Sequence, residues 1–203
     1  VHSPAEWQGF AQVAAVAARL NRLVTDQFLA AGVPVWSLQP STSARCRKGE
    51  LVSLATHPVE RALAQGLVPL LYGDVALDEV QGGTIISTEQ IFAYLTRQLH
   101  PRRLILVSAV DGVFEGDPQR DPSARPVPRI SAANWAAVRQ SLGGSHATDV
   151  TGGMLTKVAE MVHLARDLPG LTVHILSGER KGALEAALLD PDNVSGGTMI
   201  HWE

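Results

Sequence analysis

The residues whose spacing most suggests chemistry lie in DVTGGMLTKVAEM, positions 149–161. After the two glycines, Met154, Val158, Met161, Val162 and Ala165 recur at three- and four-residue steps, so the run reads as an amphipathic helix. A helix that begins at Gly152 or Gly153 leaves its first N–H groups unpaired at the positive end of its dipole. Glycines there let a ligand approach the backbone closely. Lys157 follows four residues after Gly153, and helical side chains lean toward the N-terminus, so its ammonium is within reach of an anion over that end. A phosphate suits the combination. A structural reading fits the same residues: Thr151 caps the helix, the glycines turn the chain, and Lys157 is a solvated surface lysine. From this segment alone both readings stand.

Three further places carry suitable residue types. In VSAVDGVFEGDP, Asp111 and Gly112 follow an apolar strand, and ligands of open α/β sheets bind at the carboxyl ends of strands. A tight Asp-Gly turn is the alternative use of that pair. Asp117-Pro118 and Asp121-Pro122 are turn formers and carry no specificity of their own. Ser87, Thr88, Glu89 and Gln90 form a polar cluster between a strand and a helix, where Glu89 could organise a lysine or another cation. Ser87 with Gln90 also fits a capping box, and an acid in a helix's first turn is favoured by the dipole. Gly73-Asp74 ends an apolar stretch and either faces a ligand or turns the chain. The histidines at positions 2, 57, 100, 146, 163, 174 and 201 show no metal-ligand spacing, so no metal site is expected on protein ligands, and His163 and His174 read as structural. No G-x-S-x-G elbow, P-loop or G-x-G-x-x-G fingerprint occurs.

The elements that must position these residues alternate along the chain. Ser3-Pro4-Ala5-Glu6 opens a helix with a capping box, and apolar positions from Trp7 to Val24 give it one face, with Gly32 as its stop. VPVWSL reads as a short strand and residues 39–50 as a polar loop. A helix is expected over 57–65, a strand running into a turn over 67–77, and a hairpin loop at 78–83 with TIIS returning. Helices follow over 87–99, 131–142, 153–168 and 181–189. Strands follow over 103–110, 171–176 and 197–202, with an irregular excursion of four prolines over 111–128. Such alternation predicts an α/β domain with a mainly parallel sheet.

Bulk composition bounds the partners. The 203 residues are 45% hydrophobic and 18% charged, enough for a sizeable core. Net charge is -3 without a basic stripe, which argues against nucleic acid. No apolar run approaches the ~18 residues a membrane span needs, and the first residues show no signal-like core. Cys46 is the only cysteine, which excludes an intramolecular disulfide. A cytoplasmic location is the expectation.

Taken in order, VPVWSLQPS, GLVPLLYGDVALD, GGTIISTEQI, LILVSAVDGVFEGDP, TDVTGGMLTKV and GGTMI resemble the amino acid kinase superfamily, above all its isopentenyl phosphate kinase branch, which includes fosfomycin-kinase-like enzymes. The resemblance implies an αβα sandwich, with an acceptor-side half over 1–100 and a nucleotide-binding half over 101–203 of one compact domain. It implies phosphoryl transfer from ATP, with Mg2+, to a small phosphorylated acceptor such as isopentenyl phosphate. By position, Lys157 would contact the ATP phosphates and act in catalysis with Glu89, which falls where the family has an aspartate that organises lysines. Gly152 and Gly153 would offer backbone N–H groups, and Ser108, Asp111 and Gly112 would lie along the nucleotide. Gly73, Asp74, Ser87 and Glu89 would face the acceptor, and the first helix would line a pocket for its apolar tail. Homodimers are common in the family, and so are implied here.

Three departures accompany the resemblance. The family's opening lysine-bearing strand, its Gly-Gly-Ser turn and a second glycine turn with a histidine have no counterpart, so the sequence reads as N-terminally incomplete. Ser87-Thr88-Glu89-Gln90 stands for Ser-Gly-Asp-Asp, and Ser108-Ala109-Val110-Asp111-Gly112 for Thr-Asp-Val-Asp-Gly. These leave room for two alternatives: a catalytically incompetent nucleotide-binding protein, or a kinase of another small acceptor (a fosfomycin-like phosphonate, an amino acid or a nucleoside monophosphate).

Overall fold

Ser3 begins the first helix as its sequence requires. Its hydroxyl accepts from Glu6 N at 3.3 Å, and Glu6 Oε2 accepts from Ser3 N and His2 N at 2.8 Å each. Such reciprocal caps satisfy N–H groups that the helix itself cannot. These donors, that of His2 first, hold the Glu6 carboxyl down at about 2. The computed structural model describes residues 1–116, 118, 121–143, 153–190 and 194–202. Asp117, His146, Thr151 and Gly152 lie outside the described residues, and so does the cap expected from Thr151. The chain divides into two compact units, Val1–Leu99 and His100–Glu203.

The first unit contains α1 (Pro4–Ala30), β1 (Val35–Ser37), β2 (Arg45–Arg47), β3 (Glu50–Ser53), α2 (His57–Ala64), β4 (Val68–Leu70), β5 (Asp74–Asp78), β6 (Gly82–Ile86) and α3 (Thr88–Leu99), with a short 3-10 turn at Pro40–Thr42. A four-stranded sheet runs in the order β3-β2-β5-β6, while β1 and β4 pair separately and in parallel. Its core is Cys46, Val59, Ala76, Ile86, Ile91 and Leu95 with their neighbours. Burying a side chain the size of Ile86 or Ile91 contributes about 1.5–3 kcal/mol.

In the second unit, β7 (Arg103–Ser108), β8 (Val113–Phe114), β9 (Pro126–Val127) and β10 (Arg129–Ile130) precede α4 (Trp135–Gly143) and α5 (Gly153–Asp167). The strand β11 (Thr172–Ser177), α6 (Ala183–Leu189) and β12 (Thr198–His201) complete it. Its main sheet has the order β10-β12-β11-β7. Of the face read from the 3.6-residue period, Val158, Met161, Val162 and Ala165 are buried on α5 and Met154 is only partly so, while Leu164 joins the buried set.

The fold is α/β, and its sheets are mixed where a mainly parallel sheet was expected. β5 and β6 are antiparallel because only Glu79, Val80 and Gln81 separate them. The polar loop expected over 39–50 contains most of a second hairpin, β2–β3, closed by Lys48 and Gly49 with φ of 54° and 84°. Two successive positive φ values give the twist that a two-residue hairpin needs. β12 also runs antiparallel to β11. The excursion after β7 is not wholly irregular either, since β8 and β9 pair within it and β10 joins the main sheet.

Candidate active site

In the second unit, β7 and β11 are parallel neighbours in register, and both end on a serine: Ser177 pairs with Ser108. Gly178 N donates to Ser108 O at 2.8 Å just beyond that point. The chain leaving β7 is drawn back across this edge. Asp111 Oδ1 accepts from Ser177 N at 3.1 Å, and Asp111 Oδ2 lies 3.3 Å from Arg180 Nε. Ser108 Oγ accepts from Val110 N at 3.3 Å. Ser108, Asp111 and Gly112 are therefore brought together at the carboxyl edge of two parallel strands, the side of an α/β sheet at which ligands bind.

Gly112 shows how tightly this edge is built. Its φ is 93°, and a Cβ placed there would lie 2.6 Å from Thr198 Oγ1 and 2.7 Å from Gly197 C. Thr198 Oγ1, buried, accepts from Val113 N at 2.7 Å and donates to Val127 O at 2.6 Å. The Asp-Gly pair thus makes a turn, as the structural reading held, and the turn lies on the edge that the ligand reading required. Gly153 opens α5, and Lys157, one turn in, is exposed.

The first unit brings Gly73, Asp74, Ser87 and Glu89, the residues expected to face an acceptor, to one end of the β5–β6 hairpin. Asp74 pairs with Ile86, and Gly73 N donates to Thr88 Oγ1 at 3.1 Å. Asp74 is buried, and its carboxylate accepts from Ser41 N at 3.1 Å and Val75 N at 2.9 Å. Ser87 Oγ accepts from Gln90 N at 3.1 Å, and Gln90 Oε1 accepts from Ser87 N at 3.2 Å, so the capping box read from the sequence forms at α3. Glu89 sits half-buried in the first turn of that helix.

Several residues at these places escaped the sequence reading. Ser177 ends β11, and Gly178 and Arg180 follow it as Asp111 and Gly112 follow β7; the stretch SGERKG after LTVHIL carried that signal. Asp78 accepts from four backbone donors: Gly49 N at 2.7 Å, Val80 N and Gln81 N at 2.8 Å, and Lys48 N at 3.2 Å. Burial acts to raise its carboxyl, but these donors outweigh it and hold the group at about 2.

Among the described residues no three His, Cys, Asp or Glu side chains cluster as metal ligands, and no helix is long and apolar enough to cross a membrane. Both carboxylate oxygens of Asp111 already face protein groups, so this acid does not fit the part of a metal ligand.

The sequence profile of the Amino acid kinase family matches residues 2–177. The chain belongs to the amino acid kinase family and has its kinase fold. Within that class it is similar to the isopentenyl phosphate kinase of Methanothermobacter thermautotrophicus, 36% identical over 183 residues, which are 89% of this chain and 67% of the relative. The isopentenyl phosphate kinase of Methanocaldococcus jannaschii is 30% identical over 151 residues, 74% of this chain and 55% of the relative. A solved structure described as isopentenyl phosphate kinase superposes with a TM-score of 0.80 at 29% identity, covering 98% of this chain and 74% of that one. The chain thus spans between about half and two thirds of the length of these two curated relatives.

Proposed function

We propose that this protein transfers the terminal phosphoryl group of ATP to isopentenyl phosphate. The phosphorus–oxygen bond to ADP breaks, a terminal phosphate oxygen of the acceptor forms the new one, and the products are ADP and isopentenyl diphosphate. The observation that carries the reading is the edge where β7 and β11 end in register at Ser108 and Ser177, with Asp111 and Gly112 folded over it. Its support is the 36% identity to an isopentenyl phosphate kinase across 89% of the chain.

Phosphoryl transfer needs position and positive charge more than covalent help. In this reading Lys157 meets the ATP phosphates, and the backbone N–H of Gly153, where α5 begins, adds to the positive helix end. Ser108, Asp111 and Gly112 flank the nucleotide. Glu89 orients a cationic group, and Gly73, Asp74 and Ser87 face the acceptor. Phosphate charge would be neutralised by Mg2+ carried in with the nucleotide. The unit Val1–Leu99 takes the acceptor and His100–Glu203 the nucleotide. Val13, Val16, Leu20 and Leu23, all exposed on α1, offer an apolar surface to the hydrocarbon tail. The reading places the protein in the cytoplasm as a homodimer.

Lys157→Ala tests the phosphate assignment. The variant is expected to lose about 100-fold or more in kcat/KM for ATP, the scale of removing one donor to a developing oxyanion. Steady-state kinetics on the complete gene product measure this, and an unchanged rate contradicts the role of Lys157.

A further inference from the structure

Arg180 lies three residues beyond the end of β11, outside every motif that pointed to the kinase reading. Its guanidinium ties its own segment to two others. Nε is 3.3 Å from Asp111 Oδ2, on the segment after β7. Nη2 donates to Ser195 O at 2.5 Å, in the segment before β12. The flat face of the group lies against Gly196, where a Cβ would come within 2.8–2.9 Å of Nη2, Cζ and Nη1. Gly196 has φ of 73°, so this approach is made by the one residue type that permits both the conformation and the contact.

The Asp111 contact is unusual in one respect. Arg180 Nε is buried and makes no hydrogen bond, because the carboxylate is near it but off the N–H line. The pair is held by charge and by the anchor at Ser195, without the directed bond of a closed fork. Asp111 in turn holds Ser177 N. A planar group with several fixed donors can span Asp111 and Ser195 together, which an ammonium cannot.

We infer that Arg180 is a positioning residue for the nucleotide: it clasps Asp111 against the Ser195–Gly196 turn and so fixes the segment carrying Asp111 and Gly112 over the ends of β7 and β11. The inference rests on the kinase reading. Arg180 acts through Asp111, so the two residues form one energetic unit. A half-exposed ion pair of this kind adds little to global stability, so loss of the clasp shows in nucleotide binding and not in melting.

The test is ATP binding to the complete gene product by calorimetry, with thermal melting of each variant alongside. R180Q is expected to raise the ATP dissociation constant about tenfold with little change in melting temperature, and R180K to recover less than half of that loss on a logarithmic scale. In a D111N background, R180Q is expected to add less than about twofold, because coupled residues are not additive. Wild-type protein that binds ATP while R180Q and R180K bind it equally well overturns the inference alone. So do fully multiplicative effects of R180Q and D111N, which would make Arg180 an independent contact. Wild-type protein that binds no ATP overturns the kinase reading and the inference with it. If R180Q melts early, R180K carries the comparison.

Discussion

Gly112 has the clearest consequence at the scale of single residues. With φ of 93° and Thr198 Oγ1 and Gly197 C in the way, Gly112→Ala pays both backbone strain and a clash. The expected loss is about 1–3 kcal/mol from the backbone conformation, with overpacking adding to it. Urea denaturation reads the stability, and weaker ATP binding is expected alongside; a variant as stable as wild type contradicts the geometry. The Asp-Gly pair was legible in the sequence because a strand ended just before it. Thr198 was not, because it meets Gly112 from 86 positions along the chain, and no local pattern encodes that contact. Ser87 shows the opposite case. Its capping box with Gln90 is a local signal, and it forms as read. Arg180 was missed although its signal, polar residues just past a buried strand, matched the one that found Asp111.

Among the elements, β11 carries a pH dependence. His174 is buried within it, and burial first, then the nearby charge of Arg103, pushes its pKa down from 6.5. The unfolded chain therefore binds a proton that the folded strand refuses. Stability is complete above about pH 6.5 and falls as pH drops through the lowered value. Urea midpoints at pH 7.5 and 5.5 should show this fall in wild type and a smaller one in His174→Leu; equal slopes would remove His174 as its source. The hairpins of the first unit respond at lower pH. Asp78 is held at about 2 by donors in both turns, Lys48 and Gly49 on one side and Val80 and Gln81 on the other. Its contribution is present above its unfolded value near 4 and is lost as pH falls toward 2. Asp78→Asn should lower the melting temperature at pH 7 and flatten the acid limb between pH 4 and 2. An unchanged acid limb would contradict the assignment.

Helices were the legible elements, since α1, α3 and α5 each carry caps or a 3.6-residue apolar stripe. Strand pairing was less legible. β2 is three residues long and lies in a polar stretch, and β3 is four residues long with Leu51 and Val52 adjacent, so neither gave an alternating signal, and Lys48 takes a positive φ that its type does not advertise. A mainly parallel sheet followed from alternation of strands and helices. It failed at β2–β3 and β5–β6, where short turns forced strands to reverse, and at β12, which runs antiparallel to β11 although α6 lies between them in the chain.

For the whole molecule, family and fold stand on the profile match across residues 2–177 and the TM-score of 0.80. The ordered motifs identified that family in the sequence, whereas Lys157 alone left two readings open. What fold cannot supply is the acceptor, because one kinase fold serves many substrates and the site decides among them. The most direct measurement is phosphorus NMR of the complete gene product incubated with Mg-ATP and isopentenyl phosphate, with glutamate, a nucleoside monophosphate and fosfomycin as parallel acceptors. Isopentenyl diphosphate and ADP are expected to accumulate together in equal amounts, with the other acceptors unchanged. Absence of the diphosphate while another acceptor gains a phosphoryl group, or ATP bound with no transfer to any of them, would contradict the proposed function.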